Sequence, residues 1–378
     1  MTDSVPNRGS RILEAGLTGA APRPRFSNFD WLRLVAASAV IFSHSFPIAE
    51  DSEVNEPFVR YLDAPILGLF GVAMFFAMSG FLIAQSAGFN PSWRAFLLNR
   101  ALRIYPALLV VLVLTAFVVA PFFHARGAMG FLTSTIPFRY VAKGLLLLDG
   151  LLLSGLQFYP GDYGWVVNGS MWTILYEIAC YVAIALLMML GIMRLWAVLA
   201  IGLGTVLVVP LLMSPWVGLA EARIVLLVVP AFFAGAAIHF LLRGRPAYPA
   251  WPIALCAMLA VVGFRIGLPL ETFGLWGAYP LIWIATHPRW QLPGLDRFGD
   301  ISYGMYLYGW PVQQVWRVLL GEGATWQAVF MLSLPTAALF GYASWHLIER
   351  RALAFKARAR RPDGITAPPV RWRRWRAG

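Results

Sequence analysis

Long apolar runs alternate with short polar ones along most of the chain, and ten of these runs approach the roughly 17–25 residues a helix needs to cross a bilayer. They fall at about 30–49, 65–85, 102–123, 170–190, 195–213, 222–242, 250–267, 270–286, 300–319 and 325–347. The pattern predicts an all-α integral membrane protein with about ten transmembrane helices around a central cavity. Pro252, Pro269, Pro280 and several glycines interrupt the seventh and eighth runs, and the connection between them is short. That pair also fits broken helices lining a cavity.

The longest connection, about 124–169, contains the apolar stretch Gly144 to Leu153, too short and too interrupted for a span. An interfacial or re-entrant helix is expected there, followed by the aromatic, turn-rich stretch Phe158 to Trp165. This segment is either a lid over a binding site or a belt of interfacial aromatics.

Composition agrees with a membrane protein. Of 378 residues 59% are hydrophobic and 13% charged, against about 25% charged in soluble domains. The net charge of +12 changes the picture through its distribution. Twenty-two Lys and Arg lie before Asp30, around the even-numbered connections or in the tail from Arg350. Seven lie on the other side, namely Arg60, Arg126, Arg139, Lys143, Arg223, Arg265 and Arg317, together with the acidic first loop of Glu50, Asp51, Glu53, Glu56 and Asp63. The positive-inside rule then puts both termini in the cytoplasm.

Residues 1–28 form a polar segment without the apolar core of a secretory signal, so the first helix is expected to stay as an anchor. Residues 29–353 are the membrane domain. The basic tail, 354–378, ends Arg371-Trp372-Arg373-Arg374-Trp375-Arg376 and lacks an apolar period; a flexible segment held near anionic headgroups is expected rather than a nucleic-acid partner. Cys180 and Cys256 both sit in apolar runs and read as core residues, not a disulfide framework or metal site.

Ionisable residues inside these runs are the candidates for chemistry, because an arginine at a bilayer centre costs at least about 2.5 kcal/mol and faces a polar interior. Arg33 and His44 are eleven residues apart in the first run. They therefore share a helix face, about 16 Å apart along the axis. His44 is suited to take a proton from a hydroxyl near neutral pH, or it is a satisfied packing residue. Glu177, about two turns into the fourth run, is a carboxylate in need of a partner; His44 is one choice, and a buried Arg or Tyr is another.

Arg100 and Arg103 open the third run at i and i+3, one face of a helix. With Arg33 they form a cationic mouth suited to phosphates, or they are ordinary positive-inside flanks. Ser79 and Gly80 offer a close approach for a thin ligand or a second helix. Tyr303 and Tyr306, one turn apart, fit a tunnel wall or an aromatic packing stripe. No phosphate-binding P-loop, dinucleotide fingerprint, His-x-x-x-His metal pair or nucleophile elbow occurs.

Taken together, these residues resemble the acyltransferase-3 family of bacterial membrane acyltransferases that modify surface and secreted carbohydrates. The similarity runs from about Phe29 to Leu353. Its marks are Arg33-x10-His44, Phe75-Phe76-x-x-Ser79-Gly80-Phe81, Arg100-x-x-Arg103, Gly169-Ser170-x-Trp172-Thr173-x-x-x-Glu177 and Ser302-Tyr303-Gly304-x-Tyr306-Leu307.

The resemblance implies a ten-helix domain that takes an acyl group, acetyl foremost, from cytoplasmic acyl-coenzyme A to an outer polysaccharide or glycolipid hydroxyl. A bacterial inner membrane is the implied location. His44 would be the essential residue, oriented by Glu177, while Arg33, Arg100 and Arg103 would engage the coenzyme's phosphates. Ser79, Gly80, Trp172, Tyr303 and Tyr306 would line the substrate tunnel, with no metal. Many members carry a histidine where this chain has Gly309, so a role for it does not transfer. The short tail leaves no room for the esterase-like domain of some relatives. A transporter or flippase using the buried Arg, His and Glu as a pathway is the rival reading.

Overall fold

Each of the ten apolar runs is helical in the computed structural model, which describes residues 26–89, 92–148, 152–213, 219–243, 248–295 and 298–359. We number the corresponding helices α1 (Asn28–Glu50), α2 (Leu67–Ala87), α3 (Trp93–Leu114), α4 (Trp172–Met189) and α5 (Leu195–Met213). They continue with α6 (Leu219–Leu242), α7 (Pro252–Arg265), α8 (Ala278–Thr286), α9 (Ser302–Leu320) and α10 (Trp326–Ser344). No strand forms among the described residues, only the isolated bridges His124 with Leu156 and Leu152 with Val166.

Six segments among the described residues are long and apolar enough to cross a membrane: Asn28–Glu50, Leu67–Ala87, Trp93–Phe122, Trp172–Met189, Val225–Leu242 and Trp326–Ala354. The chain is thus a multi-pass helical membrane protein. Helix α9 has the length, but its tyrosines, Gln313, Gln314 and Arg317 break the apolar run. Helix α7 has only 14 residues, and the eighth run divides into Phe273–Trp276 and α8. Pro280 has no N–H for the carbonyl of Trp276, four residues back, which weakens the helix at that division.

In the long connection the helix sits earlier than the apolar pattern suggests, at Ile136–Leu145. Leu147 adopts a left-handed φ of 58°, and the helix ends at Leu145 in a turn through Leu146 and Leu147. At the other end of the chain, a π turn at Trp345–Glu349 leads into a further helix, Arg350–Ala359, so helix crosses the expected tail boundary. The segments 1–25 and 360–378 lie outside the described residues.

Helices approach closely where glycine removes the side chain. A Cβ on Gly80 of α2 would lie 1.8 Å from the Phe232 carbonyl oxygen of α6, and one on Gly235 would lie 2.0 Å from that of Ala77. Lipid gives no hydrophobic drive between helices, so such backbone contact supplies the packing. The helix ends are tied by buried polar side chains. Asn28 donates to the carbonyls of Ile284 (2.9 Å) and Trp290 (2.7 Å) and accepts from Leu292 N–H (2.8 Å).

At the opposite end of α1, Glu56 is fully buried at 0% exposure. It accepts from Ser43 Oγ, Phe58 N–H, Val59 N–H and Leu67 N–H, between 2.7 and 3.3 Å. Ser43 in turn accepts from Gly68 N–H at 2.7 Å, which fixes the start of α2 beside His44. Glu56 is therefore a joint between two helices and not simply a loop charge.

Candidate active site

A cavity of about 120 Å³ lies between α1, α2, α3, α4 and α9. Its wall on α2 runs from Val72 to Ile83. Eleven residues of helix make that wall about 16 Å long, so the cavity extends along the helix axes. Arg33, Arg100, Arg103 and Asp300 are at the Ile83 end; Val72, Thr173 and Tyr306 line the other.

The three arginines are brought together as the spacing suggested, but they are not equivalent. Arg103 pairs with Asp300 at 2.5 Å and with Glu349, and its guanidinium lies 5.3 Å from the Tyr303 ring and 5.4 Å from that of Trp345. Arg33 pairs with Asp300 at 3.3 Å and Asp30 at 4.0 Å. Arg100 has no carboxylate within ion-pair distance among the described residues. Its guanidinium lies 6.0 Å from the centre of the Tyr181 ring, and its Nε is buried without a hydrogen-bond partner. Guanidinium stays charged at any relevant pH, and the Glu177 carboxylate in the same lining offsets that charge in part.

Asp300, which lines the cavity, and Glu349, which bonds Arg103, are counter-charges that the sequence reading missed. Ser302 Oγ donates to Asp300 at 2.6 Å and Ser344 Oγ to Glu349 at 2.9 Å, so both carboxylates are held in place. A signal for them existed. Three arginines at one depth require counter-charge, and these two acids flank runs whose ends were assigned to the same side.

Glu177 does not meet His44. Its carboxylate accepts a short hydrogen bond from Tyr181, four residues on, and Tyr181 is 3.2 Å from Ser79 Oγ. All three line the cavity with Arg100. The pairing with His44 is therefore corrected: helix α4 turns Glu177 toward α2 and α3, and its own next turn supplies the partner.

His44 is half-buried, with its ring edge-on to Trp310 of α9 at 4.7 Å and 72°. Its Nδ1 is buried and has no partner. Arg33 bonds Asp300 just before α9 and His44 touches Trp310 within α9, so one face of α1 carries both, as an eleven-residue separation requires. His44 is outside the cavity lining. It adjoins Ser43, which bonds Gly68, one turn from the end of the wall at Val72.

Over Trp310 lies the segment before α4. Trp310 Nε1 donates to Val166 O at 2.9 Å, Gln314 Nε2 to Tyr163 O (2.8 Å) and Val166 O (2.7 Å), and Asn168 Nδ2 to Leu307 O (2.9 Å). Asp51, at the end of α1, accepts from Asp162 and Tyr163 N–H at 3.1 and 3.0 Å. Gly161 has φ 133°, and a Cβ there would be 2.7 Å from the Asp51 carboxylate, so this contact needs glycine.

The remaining expected tunnel residues divide. Ser79, Tyr303 and Tyr306 line the cavity. Tyr303 donates to Ile104 O at 3.2 Å and Tyr306 to Ser170 O at 2.8 Å, also lying 2.8 Å from Thr173 Oγ1. Gly80 and Trp172 are not in this lining. Gly80 is used at the α2–α6 crossing, and Trp172 lies edge-on to Tyr176 at 6.0 Å. No group of three or more His, Cys, Asp or Glu side chains placed to hold a metal occurs among the described residues.

Comparison with known proteins adds a family. A family model described as an acyltransferase domain, the third of that name, matches residues 26–346. The chain is 29% identical over 345 residues to an O-acetyl transferase of Shigella phage Sf6, which covers 86% of this chain and 95% of that one. It is 27% identical over 368 residues to nodulation protein 10 of Rhizobium leguminosarum bv. viciae, covering 87% and 94%. No solved structure matches. These similarities favour acyl transfer over transport.

Proposed function

We propose, for a chain that belongs to the acyltransferase-3 family and is an acyltransferase, that it carries an acyl group, acetyl foremost, across a bacterial inner membrane. The donor is cytoplasmic acyl-coenzyme A. The acceptor is a hydroxyl of an outer polysaccharide or glycolipid. Ten spans with both termini in the cytoplasm put the arginine end of the cavity inside and His44 outside.

The observation that carries this reading is the long cavity, with a cation in no ion pair among the described residues at one end and a histidine just beyond the other. Arg100 receives a phosphate of the donor, while Arg33 and Arg103, fixed by Asp300 and Glu349, shape the mouth. The Glu177–Tyr181–Ser79 chain gives the apolar wall a polar strip beside the thioester arm. At the far end His44 Nδ1 takes the proton of the acceptor hydroxyl as its oxygen attacks the acyl carbon. A C–O bond forms, the C–S bond breaks, and the departing thiolate takes up from His44 the proton that came from the hydroxyl. Attack by His44 itself, through an acyl-histidine, uses the same arrangement; rapid quenching with labelled acetyl-coenzyme A separates the two routes.

The test is transfer from labelled acetyl-coenzyme A to a panel of methyl glycosides by the full chain in lipid nanodiscs. His44→Ala is expected to lower transfer by about 10²- to 10⁴-fold, the usual contribution of a positioned acid–base, with coenzyme A affinity kept. Undiminished transfer by a correctly inserted variant would falsify the assignment.

A further inference from the structure

The cavity changes character along its length. Arginines and Asp300 hold its Ile83 end and Ser79, Glu177 and Tyr181 its middle, whereas Val72, Phe75, Thr173, Ile174 and Tyr306 wall the far end. All of these wall residues but Phe75 are buried. Thr173 and Tyr306 bring the only hydroxyls among them, and both are already engaged. Tyr306 Oη donates to Ser170 O at 2.8 Å, which makes Thr173 Oγ1, also at 2.8 Å, the donor in the second contact. Hydrocarbon is what this end is left to offer a ligand.

The end wall is also fixed. Its hydrogen bonds run from α9 to the start of α4, and the Tyr306 ring meets Phe75 of α2 edge-on at 5.9 Å and 67°. Three helices thus hold one phenol ring in place. A wall held this way yields little, because added volume forces side chains and backbone to shift instead of filling space. It forms a stop for a chain that enters from the arginine end. Tyr306 lies one turn before Trp310, the residue that touches His44, so the stop sits within about a turn of the histidine.

We infer that Tyr306 and Val72 set the length of the acyl group, closing the cavity at a depth that admits an acetyl group and turns longer chains away. The inference rests on the acyl-coenzyme A reading, in which the acyl group is the leading end of the donor.

Titration calorimetry of coenzyme A, acetyl-coenzyme A and butanoyl-coenzyme A with the full chain in nanodiscs reads the stop without any acceptor. Each thioester's affinity is taken as a ratio to that of coenzyme A for the same protein, which cancels any general loss of donor binding. The parent chain is expected to bind the butanoyl thioester at least about tenfold more weakly than the acetyl one, the discrimination that a closed apolar pocket gives against added methylenes. Val72→Ala and Tyr306→Leu cut back the wall from α2 and from α9 separately. Each is expected to improve butanoyl relative to acetyl binding by about three- to tenfold, and Val72→Ala supplies the result should Tyr306→Leu fail to fold. A merely structural role lowers both thioesters alike and leaves their ratio as in the parent. Equal affinity for the two thioesters in the parent, or the parent's ratio in both variants, overturns the inference while coenzyme A still binds. A folded parent chain that does not bind coenzyme A removes the donor reading, and the inference with it.

Discussion

The two ends of the α1–α9 interface handle polarity in opposite ways. At the Arg33 end, charges are matched to one another: Asp300 serves two arginines, and Glu349, at 0% exposure, serves Arg103. At the His44 end the polar groups are mostly neutral, and several have no partner. The difference follows from cost. A buried unpaired charge is penalised by several kcal/mol, whereas an unmade neutral hydrogen bond costs about 1–3 kcal/mol. Charges at the first end are therefore mostly paired, and among the described residues Arg100 and Glu177 line the cavity without an ion pair. Neutral groups at the second end carry no such requirement.

The largest break in that contrast is expected from Arg103→Ala, which strands Glu349. Loss of one partner from a buried pair costs about 3–5 kcal/mol, so the thermal midpoint in detergent should fall steeply and donor binding should fall with it. Restoring neutrality with Arg103→Met and Glu349→Met together should recover much of that midpoint. A double variant no more stable than Arg103→Ala would show that the pairing is not what holds this end.

Arg100→Gln is expected to behave differently, since Arg100 is in no ion pair among the described residues and Glu177, whose charge it offsets, keeps its hydrogen bond from Tyr181. Coenzyme A affinity measured by titration calorimetry should fall by about ten- to a hundredfold, the worth of one or two charge-assisted hydrogen bonds, with stability little changed. Equal losses of stability in Arg100→Gln and Arg103→Ala would erase the distinction between the two arginines. Gly80→Ala, whose added carbon meets the Phe232 carbonyl, should cost about 1–3 kcal/mol of stability through overpacking. It is expected to leave donor affinity alone in protein that remains folded.

The smallest effect concerns Glu53, in the loop after α1. Burial pushes its carboxyl above the ordinary range, against the hydrogen bond from Tyr163 at 3.1 Å. A carboxyl raised on folding binds more protons in the folded chain, so its contribution to stability is lost as pH rises through the unfolded and then the folded value. Glu53→Gln should therefore be neutral or slightly stabilising at pH 7 and should flatten that dependence in thermal melts between pH 4 and 7.

The features read correctly from the chain were those set by one helix at a time. Positions of the apolar runs depend on length and hydropathy, and the common face of Arg33 and His44 depends on an eleven-residue separation. Partners across helices were not legible. Glu177 was matched to His44 by depth, whereas its partner Tyr181 stands four residues on in the same helix, a spacing present in the chain but not used. Asp300 and Glu349 are 197 and 246 residues from Arg103, and Glu349 lies in a π turn, where ordinary helical spacing fails to give a side chain's direction. Neither acid entered the charge reading, which counted Lys and Arg and the acidic first loop. Their structural role appears once the arginines they face are brought to the same depth.

Continuity between the two ends is tested most directly by plugging the cavity beyond the arginines. Val72 lines its far end and is 4% exposed, and Val72→Phe fills space between the Arg100 mouth and His44. With labelled acetyl-coenzyme A and methyl glycosides, this variant should bind coenzyme A as the parent chain does and lose most of its acetyl transfer. Full transfer in a stable Val72→Phe protein would contradict a path running through this cavity to His44.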